Sequence, residues 1–111
     1  MTEPAVEAVD SFGITAERLF AEVWSRDVLP VRERRLLLLG LLVGQGLNRQ
    51  LDVQLDAALR TGELTEVELR EVVVFLAHYA GWSRGAELNA QVEELIERVR
   101  MERSGGQDRA G

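Results

Sequence analysis

The sequence predicts an all-α protein, a small bundle of about five helices that is oligomeric. Two observations carry this prediction: apolar residues recur at helical spacing in several segments, and residues that start or stop helices separate those segments. No stretch alternates between polar and apolar residues as a half-buried strand would. The 111 residues suffice for one domain. Apolar residues such as Val74 and Phe75, outside the main stripe of their helix, exceed what one small bundle can cover.

The composition changes near both ends of the chain. Residues 1–14 show no sustained period and are expected to form a flexible arm, and residues 104–111 are small or polar and are expected to be disordered. The helical domain is therefore predicted between them, at residues 15–103. The first residues are acidic and lack the apolar centre of a secretory signal, so we expect a cytoplasmic protein.

Local signals place the first three helices. Thr15 is expected to cap a helix that ends near Arg26. Pro30 suits the start of a second helix, which is almost entirely apolar over residues 36–43 and should be buried. Asn48 is expected to cap the third helix.

The last two helices have more specific boundary signals. Gly62 is expected to end the third helix in the left-handed conformation, and Thr65-Glu-Val-Glu68 is a capping box that starts the fourth. Gly81 ends the fourth helix, and Ser83 is expected to cap the fifth. The apolar seam predicted for the fifth helix consists of Leu88, Val92, Leu95, Ile96 and Val99.

Charge and composition exclude several classes of function. Nineteen acidic residues oppose thirteen arginines, there is no lysine, and the net charge is −6, so the chain lacks the positive surface that nucleic acid requires. The absence of cysteine excludes disulfides, thiolate metal sites and thiol peroxidase chemistry. The longest apolar run is far shorter than a membrane span. A single histidine, His78, does not make a metal site, so we expect no metal, no nucleic acid and no membrane partner.

Four segments in this order are characteristic when taken together. They are Phe20-Ala-Glu-Val-Trp24-Ser before a proline turn, Arg32-Glu-Arg-Arg-Leu36, Leu55–Gly62 leading into Leu64–Glu71, and Phe75-Leu-Ala-His-Tyr-Ala-Gly-Trp82. Over roughly residues 16–100 the arrangement resembles the carboxymuconolactone decarboxylase family, which is related to alkyl hydroperoxide reductase D. The resemblance implies an all-helical subunit that assembles into homotrimers or homohexamers, with pockets near the subunit interfaces.

The chain departs from both chemistries of that family, a Cys-x-x-Cys peroxidase relay and a cysteine-free decarboxylation of a lactone. In the register of the resemblance, the relay histidine falls at Gln54, the two cysteines at Leu47 and Gln50, and the relay glutamate at Arg35. None of these side chains supplies a thiolate or exchanges a proton near neutral pH. The resemblance therefore implies a cofactor-free lyase, decarboxylase or isomerase in aromatic or lactone catabolism, and not a peroxidase.

The implied substrate is a small carboxylate, lactone or oxo compound, and its chemistry suggests the candidate residues. Arg35 is expected to bind a carboxylate through its planar guanidinium, and Gln50 is expected to orient the substrate through its amide. The catalytic candidates are Gln54, His78 and Tyr79. Gln54 orients the reacting group, and His78 or Tyr79 transfers the proton.

Two tryptophans, Trp24 and Trp82, are expected to line the substrate pocket. Each candidate also has a purely structural interpretation: the two glutamines as boundary residues, His78 as an interface or surface residue, Tyr79 and Trp82 as anchors of a turn, and Trp24 as core. For the whole protein, the alternative to an enzyme is a non-catalytic, oligomeric binding or scaffold member of the family. Convergence of the candidates on one cavity would favour the enzyme.

Overall fold

The computed structural model describes residues 17–110, which form five α-helices and no strand. The helices are α1 at residues 17–24, α2 at Val31–Gln45, α3 at Asn48–Arg60, α4 at Glu66–Ala80 and α5 at Trp82–Ala110. The prediction of an all-α bundle of about five helices is confirmed. Thr15 and the arm at residues 1–14 lie outside the described residues. None of the described helices combines the length and hydropathy needed to cross a bilayer.

The chain divides into two compact units, residues 1–34 and residues 35–111. In the first unit, Arg34 closes the connection between α1 and α2. Its Nε donates to the carbonyl of Leu29 at 3.1 Å, and its Nη2 donates to the carbonyl of Arg26 at 3.0 Å. Pro30 precedes α2, and its carbonyl accepts the backbone N–H of Arg34 at 3.1 Å. The helix start predicted at this proline is therefore confirmed.

The second unit contains one apolar core. The predicted seam of α5 is buried along its whole length, at Leu88, Val92, Leu95, Ile96 and Val99. It is joined in the core by Leu39, Leu42 and Val43 of α2, by Leu51, Leu55, Ala58 and Leu59 of α3, and by Leu69 and Val73 of α4. Leu37 and Leu41 remain exposed. The second helix is therefore buried on one side only, whereas its apolar sequence predicted burial throughout.

Three boundaries predicted from the sequence are confirmed. Gly62 and Gly81 follow α3 and α4 with φ of 78° and 101°, values that residues with a Cβ rarely adopt. The capping box starts α4 as expected: Thr65 Oγ1 accepts the backbone N–H of Glu68 at 3.1 Å, and Glu68 Oε1 accepts the backbone N–H of Thr65 at 2.9 Å.

The predicted cap of α3 is wrong by one residue, because Asn48 already belongs to the helix. Gly46 follows α2 with φ of 70°. The backbone N–H of Leu47 then donates to the carbonyl of Leu42 at 3.0 Å, a bond typical of the Schellman motif. The Leu47 carbonyl in turn accepts the backbone N–H of Leu51 at 2.9 Å. Backbone hydrogen bonds therefore connect α2 to α3, and no side chain caps the junction.

Helix α5 begins earlier than predicted. The Gly81 carbonyl accepts the backbone N–H of Gly85 at 2.9 Å, so the helix begins at Trp82 and Ser83 lies in its first turn instead of capping it. At the other end the helix continues to Ala110; the disorder expected for residues 104–111 stays a prediction. Extending an existing helix requires no new nucleation, so a polar segment can continue the helix that precedes it.

Helices α4 and α5 approach each other closely where Ala77 faces Gly85. A Cβ placed on Gly85 would lie 2.6 Å from the Ala77 Cβ and 2.9 Å from its Cα. Real Cβ atoms do not come this close to a backbone atom, so the spacing of the two helices here requires glycine.

Candidate functional site

A cluster of three polar side chains joins α2, α3 and the connection between α3 and α4. Arg35 Nε donates to Glu63 Oε1 at 2.8 Å, and Arg35 Nη2 donates to Glu63 Oε2 at 3.1 Å. Arg35 Nη1 donates to Gln54 Oε1 at 2.5 Å. The Arg35 and Glu63 side chains retain only 14% and 20% of their exposure. The cluster is therefore a half-buried, side-on bidentate ion pair with an amide beside it.

The turn after α3 places Glu63 beside the arginine. Gly62 reverses the chain with a positive φ, and the next apolar residue, Leu64, is 1% exposed. The backbone N–H of Leu64 donates to the carbonyl of Ala58 at 3.1 Å. Because Leu64 is held in the core on one side of Glu63 and the glycine turn lies on the other, the backbone of Glu63 has a defined position.

Arg35 determines the charge state of its partner. Hydrogen bonds from the Arg35 guanidinium hold the pKa of the Glu63 carboxyl below its ordinary value, against the opposing effect of burial. Glu63 is therefore ionised at neutral pH, and its charge balances that of Arg35. Guanidinium groups only donate hydrogen bonds, so the oxygen of the Gln54 amide must face Arg35 and the NH₂ end of that amide is a donor.

His78 belongs to a different cluster, between α4 and α5. Its Nδ1 lies 2.8 Å from the carbonyl of Val74, and because a carbonyl only accepts, Nδ1 carries a hydrogen. In the neutral imidazole Nε2 is then an acceptor. The ring makes an edge contact with Trp82, with centroids 4.9 Å apart. The groove here has a volume of about 290 Å³ and is largely apolar, with Asn89 as a further polar residue.

Tyr79 lies on another side of α4, where its ring is 4.9 Å from that of Phe75. Phe75 also lines a second apolar groove of about 340 Å³, together with Leu36, Glu71, Val72 and Leu76. Glu71 therefore lines this second groove and is not among the residues that line the groove at His78. Tyr79 is 78% exposed and Trp82 is 69% exposed, which leaves a large aromatic surface around the end of α4.

The structure thus divides the candidates from the sequence into groups. It brings Arg35 and Gln54 into contact, and it separately brings His78 and Trp82 into contact. Gln50 is exposed on α3, and Trp24 is half-buried in α1. Of the residues considered for convergence, Arg35 and Gln54 are in contact, whereas the groove that His78 lines does not include Arg35, Gln50 or Gln54.

Glu63 is the residue that the sequence reasoning missed. The signal for it was present in the glycine turn at Gly62, which places the following side chain next to the end of α3. The packing of α2 beside that turn could not be predicted from the sequence. The contact between Arg35 and the Glu63 carboxylate, 28 positions later in the chain, depends on that packing. Within the described part of the chain, no three His, Asp or Glu side chains are grouped as metal ligands.

Comparison with known proteins identifies the family of this fold. The family model described as "Carboxymuconolactone decarboxylase family" matches residues 10–94, and the chain belongs to that family. A curated relative, the nitrosuccinic acid decarboxylase of Metarhizium robertsii, is 37% identical over 68 residues, which cover 61% of this chain and 47% of the relative. The chain therefore spans about half the length of the curated relative it matches. No solved structure gives a significant match.

The positions of Arg35 and Gln54 can be compared with those of the relay residues in peroxidase members of the family. In the register inferred from the sequence, these residues stand where peroxidase members of the family have their relay glutamate and relay histidine. The two positions are in hydrogen-bond contact here, with a guanidinium and an amide in place of a carboxylate and an imidazole. Glu63 supplies a carboxylate from a different position. At these two positions, therefore, the residues of this chain do not relay a proton near neutral pH.

Proposed function

We propose that this protein is a decarboxylase-like lyase that acts on a small carboxylate, with Arg35 as the group that binds the anion. Membership of the family and the decarboxylase named among its relatives support the reaction class. The main support for this site is the position of Arg35, which is half-buried and is held in a defined orientation by Glu63 and Gln54. An arginine recognises a carboxylate through its Nε–Nη2 edge, and here that edge holds the Glu63 carboxylate.

The proposed reaction breaks the bond between the leaving carboxylate and its neighbouring carbon. The electron pair of that bond passes into an adjacent carbonyl or nitro group, carbon dioxide leaves, and one proton returns to the carbon. Donors aimed at the oxygen that gains charge accelerate such a step. In this proposal Arg35 binds a substrate carboxylate and the Gln54 amide donates to the acceptor oxygen, while Gln50 orients the substrate from the exposed side of α3.

In this proposal His78 or Tyr79 donates the proton that returns to the carbon. His78 is suited to this role because Nδ1–H is directed to the Val74 carbonyl, which leaves Nε2 to exchange the proton. Its groove does not include Arg35 or Gln54. We therefore propose that a second copy of the chain brings His78, Tyr79 and Trp82 toward the Arg35 cluster.

Self-association, as a homotrimer or homohexamer, is part of this proposal. Large apolar side chains remain exposed on α2 and α4, at Leu37, Leu41, Val74, Phe75 and Tyr79. Exposed large apolar side chains grouped on helices in this way are typical of protein interfaces. Light scattering with size-exclusion chromatography should give three or six times the chain mass, and replacing Phe75 and Leu41 with Ser should yield smaller species. A monomer at micromolar concentration would contradict the proposal.

The decisive experiment is carbon dioxide release from a panel of small carboxylates. The panel contains nitrosuccinate, a carboxylated lactone and oxaloacetate, whose second carboxylate lies one carbon from the oxo group. The variants are wild type, Arg35→Ala and Arg70→Ala. Arg70 is a matched control because it also makes a bidentate pair, with Glu93, but on the exposed surface of α4. Arg35→Ala should lower the rate about 100-fold or more, equivalent to ~2.7 kcal/mol of transition-state stabilisation, while Arg70→Ala stays near wild type. No turnover by folded wild-type protein on any compound would contradict the proposal.

A second candidate function is a non-catalytic binding or scaffold member of the family. It is favoured by the separation of the Arg35 and His78 clusters within one chain and by the exposure of Gln50. It predicts that Arg35→Ala alters binding or assembly while no compound in the panel is turned over. The same experiment therefore separates the two functions.

A further inference from the structure

Glu63 makes with Arg35 the pairing that a ligand carboxylate would make. Its two oxygens face Nε and Nη2 at 2.8 and 3.1 Å, which is the bidentate geometry by which arginine recognises carboxylates. A ligand carboxylate cannot use this edge of the guanidinium while Glu63 occupies it. If Arg35 binds the substrate, ligand and Glu63 compete for the same two nitrogens.

We infer that Glu63 occupies the carboxylate subsite of the ligand-free protein and that the substrate carboxylate displaces it. This inference rests on the proposed function, in which Arg35 binds the substrate. It also defines the ligand class: a small carboxylate whose neighbouring oxo, nitro or lactone oxygen accepts a hydrogen bond from the NH₂ end of Gln54. A simple carboxylate without that oxygen satisfies Arg35 alone and binds less tightly.

The position of Glu63 allows this exchange. It lies in the connection between α3 and α4, outside both helices, and its side chain keeps a path to solvent. Leu64 and its bond to the Ala58 carbonyl hold the backbone, so the Glu63 side chain rotates away without moving the connection. One carboxylate replaces another on Arg35, so the guanidinium is never left buried without a counter-charge.

Gln54 supplies the second point of recognition. Its Oε1 already accepts from Arg35 Nη1 at 2.5 Å, which fixes which end of the amide is the donor. An amide N–H directed to an oxo or nitro oxygen adds a hydrogen bond that a plain aliphatic carboxylate does not make. The matched ligands 2-oxoglutarate and glutarate differ only in this oxygen, and so they isolate the contribution of Gln54.

Displacement also changes the proton affinity of Glu63. Arg35 is the largest cause of the lowered pKa of this carboxyl, and moving the side chain into solvent removes that cause. The pKa then rises toward its ordinary value. Binding of 2-oxoglutarate near pH 4.5, where its carboxyl beside the oxo group is ionised, should therefore take up protons, whereas binding at pH 7 should not.

The test is calorimetric titration of the full chain with 2-oxoglutarate and with glutarate. The variants are wild type, Glu63→Gln, Gln54→Ala, Arg35→Ala and the control Glu93→Gln, which removes the carboxylate of the exposed pair with Arg70. Glu63→Gln should bind 2-oxoglutarate at least about tenfold more tightly than wild type, or ~1.4 kcal/mol, because the competitor for Arg35 is gone. Glu93→Gln should bind as wild type does. Gln54→Ala should lose the preference for 2-oxoglutarate over glutarate.

Each result has a separate consequence. Unchanged or weaker binding to Glu63→Gln, together with loss of binding in Arg35→Ala, would overturn displacement while leaving Arg35 as the anion-binding group. Equal binding to wild type and Arg35→Ala, or no binding to any variant, would overturn both this inference and the proposed function. If Glu63→Gln does not fold by circular dichroism, Glu63→Asp replaces it: its shorter carboxylate should compete less and raise the affinity, and an unchanged affinity would overturn the inference.

Discussion

Replacing Gly85 with Ala tests the packing that holds α4 against α5. The new methyl group would lie 2.6 Å from the Ala77 Cβ and 2.9 Å from the Ala77 Cα, and the second of these atoms is backbone. The helices must therefore separate, and overpacking of this kind costs about 1–3 kcal/mol. Alanine regains roughly 1 kcal/mol of helix propensity over glycine. The net effect expected is a loss of up to about 2 kcal/mol in the free energy of unfolding, obtained from these two terms.

The assay is urea unfolding followed by far-ultraviolet circular dichroism. Gly44→Ala is the matched control, because Gly44 lies inside α2 and a Cβ there meets no atom within 4 Å. It should stabilise the protein by roughly 0.5–1 kcal/mol. The double variant Ala77→Gly, Gly85→Ala should recover part of the lost stability, because it removes the Ala77 methyl group that the new methyl group at position 85 would contact. A Gly85→Ala protein as stable as Gly44→Ala would refute the close approach of the two helices.

Three further predictions follow from the described contacts. Thr65→Ala should lower the free energy of unfolding by about 1 kcal/mol in urea unfolding, because it removes the side-chain half of the capping box, and an unchanged midpoint would contradict that cap. Gly46→Ala should destabilise the fold, because φ is 70° and a residue with a Cβ is strained there. The new Cβ would also meet the Arg84 guanidinium, but this is the end of a flexible side chain, so Arg84→Ala in the same background should leave most of the loss, and full recovery would contradict the prediction. The Arg35–Glu63 pair should stabilise the fold above about pH 4.5 and lose this contribution as pH falls through the lowered pKa of Glu63. The difference in melting temperature between wild type and Glu63→Gln should therefore shrink below about pH 4.5, and a constant difference down to pH 3 would contradict it.

Local sequence signals predicted most of the fold because they act over short distances. The capping box at Thr65, the left-handed glycine at Gly62 and the α5 seam from Leu88 to Val99 each depend on residues within a few turns of one another. Where a backbone bond replaced a side-chain cap, the predicted cap was displaced by one residue at Asn48 and by two residues at Ser83. Side-chain chemistry at these positions favoured a cap, but the preceding glycine turn had already satisfied the backbone.

The candidate site was only half predictable. Arg35 and Gln54 were selected through the family resemblance, and they are in contact. Glu63 could not be selected, because its role depends on how α2 packs beside the α3–α4 connection, which involves residues far apart in sequence. His78 lines one groove with residues of α5, and Glu71 lines another with Leu36 of α2. Which residues of α4 share a groove therefore depends on its packing against other helices.

A crystal structure of the protein soaked with 2-oxoglutarate would test the central claim most directly. The ligand carboxylate should lie on Nε and Nη2 of Arg35, with its oxo oxygen near the Gln54 amide nitrogen and the Glu63 side chain rotated toward solvent. The contrary result is a ligand bound elsewhere, for instance in the His78 groove, with Glu63 still paired to Arg35 at the distances seen without ligand. That outcome would make the Arg35 cluster a structural ion pair and would leave the binding site to be found in another part of the molecule.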